Sequence, residues 1–112
     1  MPYTFISVYL QSLEPCIKVM FGNRVFYIGD KIYLATRDNM NDPKDNGLWI
    51  GTCLEHHESL KSQFPSLVHL KAKNVKKWLL LPSTDDNFKS VAMQICDLIK
   101  NDDPRIGVAI KR

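Results

Sequence analysis

The amino-acid sequence predicts an α+β domain of two layers, in which an antiparallel five-stranded sheet carries helices on one face. Three observations lead to this class: β-rich segments alternate with turn residues, helical periodicity recurs in three places, and the elements follow the order α-β-β-β-α-β-β-α. The chain has 112 residues, which fits one domain, 1–112, and is long enough to bury a hydrophobic core.

The first predicted helix lies between Tyr3 and Leu13. Apolar side chains recur there near helical spacing, and Thr4 could cap the start. Pro15 ends the element, because the residue before a proline avoids the helical region. The same segment is rich in β-branched and aromatic residues, which also suits a strand. We favour the helix.

Three extended stretches predict the first half of the sheet. Gly22-Asn23 marks a bend within the first stretch, and Gly29-Asp30 is the signal of a two-residue hairpin. A polar loop, 38–47, separates the last two stretches. The predicted strands are Ile17–Phe21 continued by Val25–Ile28, then Ile32–Arg37, then Leu48–Thr52.

The second half predicts two helices around a hairpin. The helix Leu54–Phe64 ends at Pro65, and a continuous apolar stripe predicts the last helix after the cap candidates S-T-D-D. The tail 105–112 is expected to lie extended across the domain. The stripe consists of Phe88, Val91, Ala92, Ile95, Leu98 and Ile99, and the predicted hairpin strands are Leu67–Lys71 and Lys76–Leu81.

Composition limits the class of protein. The net charge of +3 permits an anionic partner without demanding one. Three cysteines at wide spacing do not form a disulfide framework and suit a reducing compartment. The N-terminus lacks a basic leader, and no apolar run approaches the length of a membrane span. A cytoplasmic protein is therefore expected.

Several short motifs resemble the TfoX/Sxy N-terminal domain family. They are M-F-G at Met20–Gly22 followed by G-D-K-I-Y-L-A, then V-K-K-W-L-L-L-P at Val75–Pro82, and D-P-R-I-G at Asp103–Gly107. The resemblance implies a two-layer α+β fold and a non-enzymatic regulatory or binding module, named after competence regulators that act with a transcription activator. It supplies no catalytic residue. Two departures weaken transfer of the regulatory role: Asn23 stands where the family often has glycine, and the regulators' additional C-terminal domain is not expected here.

The strands are apolar on both parities, which is unusual for a sheet with one wet face. An exposed patch of aromatic and aliphatic residues usually marks a contact surface. We therefore predict a protein partner on the open face, with a homodimer as the leading form. The alternative is that the N-terminal segment or the tail Ile106–Ile110 folds over this face. The predicted interface residues are Tyr33, Trp49, His69, Leu79 and Leu81.

A nucleic-acid contact is the second hypothesis. Four lysines surround the predicted turn 72–75, where they could reach phosphates or keep a sheet edge soluble. No arginine or aromatic residue is interleaved in that turn for base stacking. The four residues are Lys71, Lys73, Lys76 and Lys77.

A small enzyme or metal protein is the weakest hypothesis. Its candidate residues are Cys53, His57, Glu58 and His69, but their spacing matches no metal motif and nothing marks a third group that would orient a nucleophile. A hydrogen-bonded, half-buried histidine explains His57 equally well. We therefore expect no enzyme activity and no cofactor.

Overall fold

The computed structural model describes residues 3–20, 22–72 and 77–110. Within them, 3₁₀ turns at Gln11–Leu13 and Leu54–His56 precede the first strand and the second helix. The helices are α1 (Thr4–Tyr9), α2 (His57–Gln63) and α3 (Phe88–Lys100). The strands are β1 (Cys16–Met20), β2 (Asn23–Ile28), β3 (Lys31–Arg37), β4 (Gly47–Ile50), β5 (Val68–His69), β6 (Leu79–Pro82) and β7 (Val108–Ala109).

The strands form one antiparallel sheet in the order β1-β2-β3-β4-β6-β5, and β7 pairs with β3. The α+β class is confirmed, but the predicted count of five strands is wrong because the described sheet has seven. The first stretch is two strands rather than one bent strand, since Met20 pairs with Asn23. The tail supplies the other extra strand, in which Val108 pairs with Ile32.

Two tight turns fix the N-terminal meander. The hairpin predicted at Gly29-Asp30 is confirmed, because Ile28 pairs with Lys31 and Gly29 has φ 59°. Gly22 also has positive φ, at 79°, which glycine adopts without steric cost. Met20, which precedes this turn, is exposed. Phe21 lies outside the described residues.

All three predicted helices are present. The structure caps α1 at Tyr3, not at the predicted Thr4, and α3 at Asn87. The second helix is shorter than predicted, since Leu54 lies in the 3₁₀ turn and is exposed. The apolar stripe of α3 is confirmed, because its members are buried or pack against the core. No helix in the described part of the chain is long and apolar enough to cross a membrane.

The helices cover one face of the sheet, here called the covered face. Cross-strand partners share a face, and Leu34, Ile50 and Leu79 are partners in successive strands, all with no exposed surface. They form a single cluster with Ile6 of α1 and Ile95 of α3, among others. The opposite side of the sheet is here called the open face. The strand residues whose side chains point to that side do not belong to this cluster. The two-layer arrangement therefore follows from the register.

The D-P-R-I-G segment fastens the C-terminal region to α2. The Arg105 guanidinium pairs with the Asp103 carboxylate at 2.8 Å and also donates to Ser59 Oγ and Gln63 Oε1. The Arg105 carbonyl accepts a hydrogen bond from the Thr52 hydroxyl. These contacts give the segment a structural role in this chain.

Candidate functional site

The register divides the predicted interface between the two faces of the sheet. Trp49 pairs with Ala35 and Leu80 and lies on the open face, as predicted. Leu79 and Leu81 lie on the covered face with no exposed surface, so their assignment to the interface is wrong. The error is one of alignment between strands, because the sequence gives each strand's alternation but not which residue of β6 stands opposite Trp49.

Tyr33 and His69 also do not lie on the open face, where the interface was predicted. Between β2 and β3 the register shifts, so that Phe26 pairs with Leu34 and Tyr27 with Ile32, leaving Tyr33 as the extra residue of a β-bulge. The Tyr33 side chain belongs to the core and is only 9% exposed. His69 pairs with Leu79, so it points to the covered side, at the far edge of the sheet where it is exposed.

A shallow apolar hollow lies on the open face and is here called the open-face hollow. Its volume is about 180 Å³. The chain has two tryptophans, and both border this hollow. None of the residues that line it belongs to the helices described above. The lining consists of Met20, Asn23, Val25, Tyr27, Ile32, Ala35, Trp49 and Trp78.

The loop before β4 holds the Trp49 indole in place. Trp49 Nε1 donates to the Asp45 carbonyl oxygen at 2.8 Å. Asp45 has φ 61°, a conformation that aspartate tolerates better than most residues, and its buried carboxylate accepts the backbone N–H groups of Lys71 and Ala72. The sequence indicated only a polar loop at 38–47. In the structure, one residue ties it to both Trp49 and the chain after β5.

Trp78 closes another side of the hollow. A Cβ atom built on Gly51 would lie 3.4 Å from the Trp78 ring, and 2.9 Å from the Ile32 carbonyl oxygen. Glycine is therefore the residue that lets the neighbouring strand approach the backbone here, with the indole packed beside it.

The polar groups of the hollow are weakly satisfied. The Tyr27 hydroxyl donates to the Met20 sulfur at 3.2 Å, and a thioether is a weak acceptor. Asn23 Oδ1 is buried and has no hydrogen-bond partner among the described residues. The Lys18 ammonium lies 5.1 Å from the centre of the Tyr27 ring, within cation–π range. The hollow thus offers aromatic surface and one unused acceptor.

The predicted lysine cluster is placed only in part. Lys73 and Lys76 lie outside the described residues, whereas Lys71 and Lys77 are exposed. Lys71 lines a cavity of about 240 Å³ together with Lys44, His69 and Thr84. Lys61 adds a further cation, because its Nζ lies 3.5 Å from His69 Nε2. Lysines from three parts of the sequence therefore lie near β5, and the buried Asp45 lines the same cavity as Lys44 and Lys71.

The structure brings two of the predicted metal candidates together. The rings of His57 and His69 lie 5.5 Å apart between centres. His57 is buried, and its Nε2 lies 2.6 Å from the Lys77 carbonyl oxygen, so this nitrogen carries the proton that is donated. The described residues contain no group of three or more His, Cys, Asp or Glu that could hold a metal ion. His57 is therefore hydrogen-bonded, which is the alternative to a metal ligand that the sequence offered.

The cysteines divide by environment. Cys96 is buried in α3, where desolvation raises the pKa of its thiol to about 12. A thiol with such a pKa is almost entirely protonated at neutral pH and is a poor nucleophile. Cys16 is exposed in β1, and Cys53 is half-buried.

Sequence reasoning missed Tyr27 and Ile32 as neighbours of Trp49 in one hollow. The bulge at Tyr33 brings Ile32 onto the open face, and no residue in β3 signals a bulge in advance. The register between β4 and β6, which a helix separates in sequence, could likewise not be predicted from one sequence. Aromatic excess on the strands was the signal that pointed to this face.

Comparisons with known proteins do not bear on these assignments. No protein-family model matches the chain, and no curated protein or solved structure matches it either.

Proposed function

We propose that the protein is a non-enzymatic binding module that acts through protein–protein contact on the open face of its sheet. The observation that carries the proposal is the open-face hollow, in which Tyr27, Trp49 and Trp78 meet on the side that the helices leave uncovered. Aromatic residues are enriched at the cores of protein interfaces. A regulatory role of the kind implied by the TfoX resemblance fits such a module, and the cytoplasm is its proposed location.

A second copy of the chain is the proposed partner. Two-fold dimers are the commonest oligomers, and a two-fold axis over the hollow would bring the same aromatic patch of each copy together. The patch has few charges to desolvate. Lys18 at its margin lies against the Tyr27 ring, not over the centre of the hollow. Contact would also cover Val25 and Ile32, which are half-buried in the single chain.

Sedimentation equilibrium at micromolar concentration tests this proposal. We expect the wild-type chain to sediment as a dimer and Ile32→Glu, which places a charge in the hollow, to sediment as a monomer. Leu54→Glu is the matched control, because Leu54 is an exposed apolar residue outside the hollow. A wild-type chain that remains monomeric at all concentrations, or a dimer that Ile32→Glu leaves intact, would contradict the proposal.

A nucleic-acid contact is the second candidate function, and the cluster beside β5 favours it. Lys44, Lys71 and His69 border one cavity, and Lys61 lies within reach of His69. Such a patch would bind phosphates independently of sequence, and each contact would make binding more sensitive to salt.

A fluorescence titration with single-stranded and double-stranded DNA at two salt concentrations tests the second candidate. Binding at low salt that Lys44→Ala with Lys71→Ala weakens would support it. Lys89→Ala is the control, since Lys89 lies over the Phe5 ring and away from the cavity. Absence of binding at low salt would exclude this candidate.

A further inference from the structure

The first strand of the sheet has a free edge. In the described part of the chain, β1 pairs only with β2, and all five of its residues are exposed. Ile17 is 39% exposed, Val19 71% and Met20 42%. Proteins usually protect such an edge with a bulge, a proline or charged side chains, lysine above all. Here one lysine, Lys18, is the only charge within the strand.

The register shows which backbone groups face outward. Met20 pairs with Asn23 across a two-residue turn, which makes them a hydrogen-bonded pair in a hairpin. Hydrogen-bonded and non-bonded pairs alternate along an antiparallel ladder, so the pairs of Ile17 with Phe26 and of Val19 with Arg24 are non-bonded. The N–H and C=O groups of Ile17 and Val19 therefore point away from β2, toward the free edge.

The two sides of this edge differ in chemistry. Ile17 pairs with Phe26 of the core, so Ile17 and Val19 project to the helix side. A groove there, of about 480 Å³, runs between Ile17 and the exposed Val8 of α1. Lys18 projects to the open face, where it is the only cation in the strand. A strand added to β1 would therefore meet Ile17 and Val19 on the helix side, beside Glu14 and Arg24, and the Lys18 charge on the open face.

We propose that the β1 edge is a peptide-docking site that accepts an extended segment of a partner protein by strand addition. The segment has the pattern apolar–acidic–apolar: its two apolar side chains lie beside Ile17 and Val19, and its carboxylate lies opposite Lys18. Strand addition of this kind takes affinity from main-chain hydrogen bonds and specificity from alternate side chains. The site adjoins the open-face hollow, because Met20 of β1 lines that hollow, but it uses the outward backbone edge of β1 and does not depend on the proposed dimer.

Charge favours such a segment over a second copy at this edge. If two copies of β1 paired antiparallel with full overlap, Lys18 of one copy would stand opposite Lys18 of the other. Like charges directly opposite each other destabilise a sheet, whereas opposite charges stabilise it. The single lysine thus disfavours self-pairing and selects a carboxylate.

The test is the change in fluorescence anisotropy of short labelled peptides with the central sequence Thr-Val-Glu-Val-Thr or Thr-Val-Lys-Val-Thr. The full chain should bind the glutamate peptide about threefold to tenfold more tightly than the lysine peptide. Lys18→Glu should reverse that preference. It alters an exposed side chain, and a thermal melt confirms that the variant is folded. N-methylation of the peptide amides that face β1 should weaken binding at least about tenfold, as expected from the loss of main-chain hydrogen bonds.

Ile32→Glu separates this site from the open-face hollow, because it should bind the glutamate peptide as the wild type does. Failure of both peptides to bind, equal binding regardless of residue 18, or insensitivity to N-methylation would overturn the proposal. Sedimentation of a mixture of wild type and Lys18→Glu examines self-pairing. A heterodimer that forms through the edge, and that the glutamate peptide does not displace, would show that a second copy is the occupant and would also overturn the proposal.

Discussion

The two faces of the sheet are both apolar, but the chain buries them to different extents: on the open face it buries Ala35 and Leu80 and leaves their neighbours partly exposed. On the covered face, Leu34, Ile50 and Leu79 have no exposed surface and pack with the helices. On the open face, Ile32 and Trp49 are half-buried and line a hollow. Burial of apolar residues on the first face stabilises the fold, whereas the second face keeps several apolar residues partly exposed. The difference teaches that apolar content alone does not indicate which face of a sheet is buried, and that register does.

The same substitution on each face should have very different effects on stability. Ile50→Thr should lower the free energy of unfolding by about 2–4 kcal/mol, because it removes buried methyl surface and leaves a buried hydroxyl without a partner. Ile32→Thr should cost less than about 1 kcal/mol in the monomeric chain, since that side chain is half-exposed. Urea unfolding measures both values. Equal losses would show that the open face is as buried as the covered one.

The loop behind the hollow should also contribute to stability. Asp45→Ala should cost about 1–3 kcal/mol, because the part-buried hydrogen bonds from the backbone N–H groups of Lys71 and Ala72 lose their acceptor. The same change should alter the emission of Trp49, whose indole donates to the Asp45 carbonyl. Asp86→Ala is the matched control, because Asp86 is exposed. If the two variants were equally stable, the loop would not hold the hollow as described.

The C-terminal anchor should make stability depend on pH in acid. The Arg105 guanidinium holds the pKa of Asp103 below its ordinary value, mainly by hydrogen bonding to the carboxylate. A lowered folded-state pKa stabilises the protein above the unfolded pKa, and this advantage disappears as the pH falls through the folded value. Asp103→Asn should therefore cost about 1–2 kcal/mol at neutral pH.

Urea unfolding of wild type and Asp103→Asn at several pH values checks this prediction. The difference between them should narrow as the pH falls below about 4. A difference that remains constant down to pH 2 would contradict the assigned role of the ion pair.

The smallest expected effect concerns the Tyr27 hydroxyl. Tyr27→Phe removes a hydrogen bond to the Met20 sulfur and nothing from the core, so stability should change by less than about 0.5 kcal/mol. The variant keeps the aromatic ring at position 27, which lines the hollow, so it should retain the dimer proposed above. Loss of more than about 1 kcal/mol in a urea titration would assign the hydroxyl a structural role instead.

The sequence predicted the individual helices, strands and turns better than it predicted which strand residues pair with each other. The periodic stripe of α3 and the Gly29-Asp30 turn were recognisable because local chemistry determines them. The split of the first stretch was not, since Gly22-Asn23 suits a bend as well as a turn. The seventh strand depends on contacts between residues far apart in sequence, in which Val108 meets Ile32. Local patterns do not specify such pairs.

The candidate site was predictable as a face but not as a set of residues. Trp49 was placed correctly because its strand alternates cleanly around it. Leu79 and Leu81 were misplaced because the pairing of β6 with β4 spans an intervening helix and strand. Tyr33 was misplaced because a bulge shifts its strand by one residue relative to β2. Both errors concern register, which one sequence leaves open.

Tryptophan emission as a function of protein concentration tests the central claim most directly, because both tryptophans border the open-face hollow. We expect the emission maximum of the wild-type chain to shift to shorter wavelength as concentration rises through the micromolar range, and the maximum of Ile32→Glu to stay constant. An emission maximum that is independent of concentration while sedimentation shows association would place the interface elsewhere and contradict the account.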